Sequence, residues 1–283
     1  MFSNIQKIAL IALVLAASFV WYVVFTQAHD GLRVAVLNVG QGDSIFFETP
    51  SGSQVLIDGG PGRAVLAELG RVMPAYDRSI DMIIATHTDN DHLAGLVEVI
   101  KNYSVGMVAV NGASASTTVF ENWQTLLKEK HPDIKIVRAG DRALLDHGVT
   151  LDFLGPFNED FMLKLTKPNE AMVVSRLAYG ESSFLFMGDI EKGDELRLAQ
   201  SGADIESDVL KVAHHGSKYT STDLFLNKVR PAYEVISVGA RNTYGHPAPE
   251  TLERLGKIGA KLFRTDRSGR VIFSSDGASL RVE

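Results

Sequence analysis

The segment Thr86-His87-Thr88-Asp89-Asn90-Asp91-His92 places two imidazoles and two carboxylates within six positions. These residue types ligate divalent cations. So dense a set survives folding only where cations neutralise the carboxylates or where all of it faces water. An EF-hand is excluded: counted from Asp89, the fifth position is Leu93, and the loop lacks the required Gly and the terminal Glu. Three later segments carry the residue types to complete a site. Phe184–Asp189 is an apolar run ending in Gly188-Asp189, and Val209–Ser217 ends in His214-His215-Gly216-Ser217. Pro168-Asn169-Glu170 stands just before the run Met172–Ala178. Singly, Asp189 reads as a turn residue and His214 as a hydrogen-bonded core histidine. Polar groups repeated at strand ends point instead to one shared site.

The elements that must hold these residues follow from periodicity. The His87–His92 cluster leaves an apolar run, Ile80–Ala85, and enters the amphipathic pattern Leu93–Ile100. That is a strand-to-helix loop, the position at which open α/β sheets bind ligands. Further strand-like runs are Leu32–Asn38, Ile45–Thr49, Val55–Asp58, Val149–Leu154, Val173–Ala178 and Ser183–Met187. Helical patterns cover Leu93–Asn102, Thr118–Lys130, Glu191–Gln200 and Glu250–Lys257, and Gly180-Glu181 reads as a hairpin tip. The mixture predicts an α+β fold with two sheets between helical layers.

Joined in order, the motifs resemble the metallo-β-lactamase superfamily, and within it the ComEC-type C-terminal hydrolase domain of competence proteins. The resemblance is carried by Leu56-Ile57-Asp58-Gly59-Gly60, preceded by Leu37-Asn38-Val39-Gly40-Gln41-Gly42-Asp43-Ser44. It continues through His87 to His92, Gly188-Asp189, Ala213-His214-His215-Gly216-Ser217 and Tyr244-Gly245-His246-Pro247. It covers about residues 32–283 and implies an αββα sandwich with two divalent metal ions. The implied first site is His87, Asp89, Asn169 and a bridging Asp189; the second is Asp91, His92, Asp189 and His215. Asp89 stands where the superfamily usually has a second His, and Asn169 is the nearest candidate for a missing third-motif His. The first site is thereby richer in oxygen, which favours manganese more than an all-His site would, while the general affinity order favours zinc. The ions expected are therefore Mn or Zn.

Such a pair of ions holds a bridging hydroxide and clamps the oxygens of a displacement at phosphorus. Asp91, Asp189, His214 and His246 are the expected catalytic residues, His214 or His246 supplying a proton to a leaving alkoxide. Which of His214 and His215 is the direct ligand stays open at this point. Ser217, Lys218, Tyr244 and His246 are expected to hold the substrate, and Asp58 to orient a ligand His from behind. Gly40-Gln41-Gly42-Asp43 reads as a β-turn, without the Lys and helix of a P-loop. A Ser-His-Asp triad fits poorly, since no Gly-x-Ser-x-Gly elbow is present. His29, His131 and His147 lack neighbouring ligands and read as solvated.

The 283 residues allow one large domain, 32–283, behind an N-terminal segment, 1–28. Ile8–Phe25 carries no charge, and Lys7 is the only charge before Asp30. Eighteen such residues are a short transmembrane span, with the positive-inside rule leaving the domain outside. Thr26-Gln27-Ala28 also resembles a cleavage site. The segment is therefore an anchor through residues 5–27 or a removed signal peptide. The domain is expected membrane-anchored and extracytoplasmic, or secreted or periplasmic. The absence of cysteine is compatible with an oxidising compartment. Net charge is −6, yet Ser207–Glu283 carries 12 Lys and Arg against 8 Asp and Glu. Lys211, Lys218, Arg230, Arg241, Lys261, Arg264, Arg267 and Arg270 there are candidate phosphate contacts. The function this implies is a metal-dependent phosphodiesterase or nuclease connected with DNA uptake. Its substrate would be DNA or another phosphodiester, and a separate membrane channel protein would supply any transport. The alternatives are a lactone, ester or amide hydrolase on the same fold, and a non-catalytic metal-binding surface module.

Overall fold

The computed structural model describes residues 3–27, 31–146, 148–157 and 171–283. The uncharged N-terminal run forms helix α1 (Asn4–Gln27), whose window Asn4–Trp21 has a mean hydropathy of 1.7 and no buried residue. Its described apolar side chains, through Trp21, contribute nothing to a core, and by length and composition the helix is sufficient to cross a membrane.

The first sheet begins as an antiparallel meander of β1 (Leu32–Val36), β2 (Ile45–Glu48) and β3 (Gln54–Ile57). The period of two divides these strands cleanly. Val34, Val36, Ile45, Phe47, Val55 and Ile57 face the second sheet, while Ala35, Phe46 and Leu56 face outer helices. The chain then alternates α2 (Ala64–Val72), β4 (Ser79–Ala85), α3 (Asn90–Asn102), β5 (Ser104–Val110), α4 (Thr118–Lys130) and β6 (Asp133–Ile136). Strands β3 to β6 are parallel.

The second sheet is antiparallel through β7 (Arg142–Asp146), β8 (Val149–Phe153), β9 (Ser175–Tyr179) and β10 (Ser182–Phe186). It turns parallel through β11 (Val209–Lys211), β12 (Tyr233–Ile236) and β13 (Lys261–Arg264). Helices α5 (Lys192–Gln200), α6 (Asp223–Val229) and α7 (Pro249–Ile258) cover its outer face. After the short α8 (Thr265–Ser268), β14 (Val271–Ser275) returns to pair with β1, and β15 (Leu280–Val282) closes that edge.

Three cores result. Phe47, Phe184, Phe186 and Phe273 fill the space between sheets; Leu56, Ile83, Leu96 and Trp123 lie under α2–α4; Leu185, Leu210, Phe225 and Leu255 lie under α5–α7. Burying each of the larger side chains contributes roughly 1.5–3 kcal/mol. This is the αββα sandwich the motifs implied. Thr118–Lys130 starts where expected because Thr117 accepts a hydrogen bond from Phe120 N at 3.2 Å. Helix α3 starts three residues earlier than the apolar pattern suggested, at Asn90, so Asp91 and His92 belong to its first turn rather than to a loop.

Candidate metal centre

Strands β4, β10 and β11 all end at the same side of the sandwich, and each delivers part of one cluster. From the first sheet come His87, Asp89, Asp91 and His92; from the second come Asp189, His214 and His215. Asp91, His92, Asp189 and His215 each place a ligand atom within 4.8 Å of the others. Asp189 Oδ2 lies 3.3 Å from His92 Nε2, 3.4 Å from His215 Nε2 and 3.9 Å from His214 Nε2. Asp91 Oδ2 is 3.3 Å from His215 Nε2. His215 is therefore the more deeply engaged of the adjacent pair: it is buried, while His214 is partly open and approaches Asp189 alone.

The backbone is bent to achieve this. His214 and His215 take φ of 47° and 53°, and Gly216 follows at 80°. Successive left-handed residues, costly for side chains bearing Cβ, turn two neighbouring imidazoles toward the cluster. The first turn of α3 is seated by a glycine pair. Gly59 N donates to His92 O at 2.8 Å and Gly95 N to Gly60 O at 2.8 Å. A Cβ on Gly95 would stand 1.8 Å from Gly59 O, so only glycine permits the approach.

Hydrogen bonds behind the cluster aim the rings. Asp58, itself left-handed at φ 56°, accepts from Thr86 N at 2.9 Å and Thr86 Oγ1 at 2.7 Å. Its Oδ2 also lies 2.7 Å from His92 Nδ1. The carboxylate can only accept, so Nδ1 carries a proton, and in the neutral ring Nε2 is the bare nitrogen. Thr86 Oγ1, having given its hydrogen to Asp58, accepts from His87 Nδ1 at 3.0 Å. His215 Nδ1 donates to Ser237 O at 3.0 Å. Three imidazoles thus turn Nε2 into one space, with Nδ1 held from behind. Asp89 stands at the N-cap position of α3, but its carboxylate makes no cap bond and lies 3.6 Å from His87 Nε2.

Electrostatics show that the site calls for positive charge, supplied by protons on the rings when no cation is bound. Burial disfavours charge on Asp189, but His215 and His92 hold its carboxyl well below the usual range. Burial likewise opposes charging His92 and His215, yet Asp189 with Asp58, and Asp189 with Asp43 and Asp91, lift them well above the ordinary imidazole value. Nε2 of His87, His92 and His215, and Oδ1 of Asp189, are buried without a hydrogen-bond partner among the described residues. Each such group costs roughly 1–3 kcal/mol if left unmade. A divalent cation suits this mixed nitrogen and oxygen set, and the residues present fit it. Asp58, His87 and His92 also lie close enough to hold an ion, but the oxygens of Asp58 are already engaged.

Around the cluster, His246 stacks edge-on to His214 with ring centroids 5.7 Å apart, and exposed Tyr244 lies 5.9 Å from His246. Lys218 is exposed, its ammonium 5.0 Å over the Tyr219 ring. Ser217 is buried inside the turn, its hydroxyl accepting from Tyr219 N at 3.4 Å. Asn169, His29 and His147 lie outside the described residues. His131 is exposed at the end of α4, as expected. Four of the eight basic residues singled out in the C-terminal third are engaged within the fold. Lys211 is buried against Asp43, while Arg230, Arg264 and Arg270 pair with Glu206, Asp266 and Glu68. Sequence reasoning missed Thr86, Ser237, Asp43 and Asn111. Asn111 is a buried amide donating to Ala171 O at 2.6 Å and Thr86 O at 3.3 Å.

Residues 37–240 match the family model of the metallo-β-lactamase superfamily, and the chain belongs to that superfamily. Among curated proteins it is similar to competence protein ComA of Neisseria gonorrhoeae, with 31% identity over 277 residues. That alignment covers 96% of this chain and 36% of the relative. It is also similar to ComE operon protein 3 of Bacillus subtilis, with 28% identity over 256 residues, 84% of this chain and 32% of the relative. The chain spans about a third of the length of these relatives. The ComEC-type character expected from the motifs is therefore present. Among solved structures, the metallo-β-lactamase fold protein YhfI of Bacillus subtilis aligns with a TM-score of 0.59 at 12% identity, covering 87% of this chain and all of that one. Igni18, a metallo hydrolase of Ignicoccus hospitalis, aligns at 0.57 and 15% identity, covering 85% and 98%. These two share the fold.

Proposed function

We propose that residues 32–283 form a metal-dependent phosphodiesterase acting on DNA or another phosphodiester outside the cytoplasm, with residues 1–28 as signal anchor or signal peptide. The observation that carries the reading is the convergence of the unpartnered Nε2 atoms of His92 and His215 on Asp189, with that of His87 beside Asp89 and a row of rings leading toward the surface. His87, Asp89 and Asp189, with Asn169, would hold one divalent ion, and Asp91, His92, Asp189 and His215 a second, either Mn or Zn. When bound, such ions neutralise phosphoryl oxygens and make water acidic enough to attack near neutral pH.

The remaining chemistry falls to side chains. A bond forms between a water oxygen and phosphorus, the P–O ester bond breaks, and the leaving alkoxide takes a proton. His214, 3.9 Å from Asp189, would give that proton. Burial and the neighbouring His214 and His215 lower the pKa of His246, so it stands behind His214 as a neutral hydrogen-bonding ring. Lys218 and Tyr244, both exposed beside this row, would contact phosphate and base, the aromatic face accepting any base by stacking. Similarity to the competence proteins supports a setting in DNA uptake, with a separate membrane channel protein as partner. The test is hydrolysis of single-stranded DNA and of bis(p-nitrophenyl) phosphate with added manganese. Turnover above an Asp91→Ala control is expected; equal rates would overturn the reading.

A further inference from the structure

Lys211 sits where a phosphate-binding residue has no access. Its parity on β11 matches Val209, so its side chain enters the end of the inter-sheet layer and meets Asp43 of the opposite sheet at 2.7 Å. The side chains of Lys211 and Asp43 are 1% and 2% exposed. Lys211 Nζ also donates to Val212 O at 3.0 Å. A pair buried this deeply usually stabilises a fold less than apolar residues of the same volume would. Its placement therefore asks for a different account.

The second oxygen of Asp43 gives one. Oδ2 takes Lys211, while Oδ1 is buried without a hydrogen-bond partner and stands 3.3 Å from His215 Nδ1. Two acceptors, Ser237 O and Asp43 Oδ1, therefore face the same ring nitrogen. A peptide carbonyl fixes a tautomer, whereas a carboxylate also enriches the ring and strengthens Nε2 as a donor. Lys211 keeps Asp43 in its acceptor form and holds its orientation.

The loop bearing Asp43 is fitted to the cluster at two more points. Gly42, at φ +128°, packs so tightly that a Cβ there would be 2.0 Å from the carbonyl oxygen of Asp91. Gln41 Oε1 accepts from Gly239 N at 3.2 Å. The segment Gly40–Asp43 thus touches Asp91 in the first turn of α3 on one side and, on the other, Gly239, two residues beyond the Ser237 that supports His215.

We propose that Asp43 is a positioning residue for His215, with Lys211 as its buried counter-ion, so that the Gly40–Asp43 loop sets the affinity of the ion held by Asp91, Asp189 and His215. The proposal rests on the reading of that cluster as a metal centre. It is tested on the full chain in detergent micelles with Asp43→Asn and with the double variant Asp43→Asn/Lys211→Met. Three readings are taken: Zn²⁺ and Mn²⁺ affinity by chelator competition, metal-free melting temperature, and the ¹⁵N chemical shifts of the His215 ring.

In Asp43→Asn, affinity falls about 10–100-fold. Melting of this variant also falls, because Lys211 is left without its counter-charge. In the double variant the metal-free melting temperature returns toward that of the wild type while affinity stays at least about tenfold weaker. Recovery of both in the double variant would mean that Asp43 serves only Lys211 and would overturn the proposal. If the wild type binds neither ion, the metal-centre reading fails separately. The ¹⁵N chemical shifts of the His215 ring then decide, and an unchanged His215 spectrum in the double variant refutes the role of Asp43.

Discussion

Replacing Asp58 by Asn exchanges one carboxylate oxygen for an amide nitrogen at a buried position that three groups address. The backbone is not disturbed, because Asn tolerates the left-handed φ of 56° found there. The oxygen of Asn can still accept from Thr86 N, now 2.9 Å from Oδ1. The amide nitrogen must then occupy the place of Oδ2, which at present lies 2.7 Å from both Thr86 Oγ1 and His92 Nδ1. An amide N–H facing Nδ1 requires an acceptor there. His92 satisfies it only by moving its proton to Nε2, the atom 3.3 Å from Asp189. A donor that was bare becomes an N–H.

Two magnitudes follow. Loss of a charge-assisted bond to a buried ring costs about 1.5–3 kcal/mol of stability. Loss of a residue that fixes a ligand tautomer weakens metal binding about 10–100-fold, equivalent to roughly 1.4–2.7 kcal/mol. The assay is zinc affinity by competition with a chromophoric chelator, with melting followed in excess chelator and in excess zinc. The variant is expected to lose part of its zinc-dependent rise in melting temperature as well as affinity. Zinc affinity within a factor of about two of the wild type would refute the tautomer argument, since even the low end of the expected range is tenfold.

Two other substitutions probe the scaffold. Gly95→Ala would put a methyl 1.8 Å from Gly59 O, a clash between backbones that no rotamer relieves. The overpacking cost, about 1–3 kcal/mol or more, exceeds the helix-propensity gain of about 1 kcal/mol. A lowered melting temperature with weakened zinc binding is expected, and an unchanged one would count against the close approach of α3. Glu234 is wholly buried on β12, both its oxygens lack a hydrogen-bond partner among the described residues, and burial raises its pKa to about 7. The folded state therefore keeps a proton that the unfolded chain, near 4.5, gives up. The stability tied to this proton is complete below pH 4.5 and is lost as pH rises to about 7, by at most about 3 kcal/mol. Glu234→Gln removes that dependence, so its melting temperature relative to the wild type should climb between pH 4.5 and 7 and level off above. A constant difference across the window would show that Glu234 ionises freely.

The sequence was most readable where a local pattern and the tertiary demand coincide. Thr118–Lys130 has both an amphipathic face and a capping Thr117, and Ile80–Ala85 leads straight into ligand-type residues. Asp58 could be assigned to steer a ligand His because turn glycines follow it, and in the fold it reaches His92. Strands β12 to β15 were not anticipated; β13 and β15 have no fully buried residue, so their alternation is blurred. Helix α2 is short and carries Gly70 in its interior, which weakens its pattern. The Lys211–Asp43 pair joins positions 168 residues apart and exists only once two sheets have met. One clue was present, since Val209 and Lys211 share a strand face and Val209 belongs in the core. Charge alone suggested a surface residue, and burial reversed that.

The division of the cluster between two sheets has a consequence in time as well as in space. His87 and His92 stand on one half of the chain and Asp189 and His215 on the other, roughly a hundred residues later. No nascent or extended segment holds the complete constellation; it comes into being with the last long-range packing step. An ion bound there would fasten the two halves together as a cross-link would. Removing that ion should therefore loosen the packing of one sheet on the other as well as empty the site.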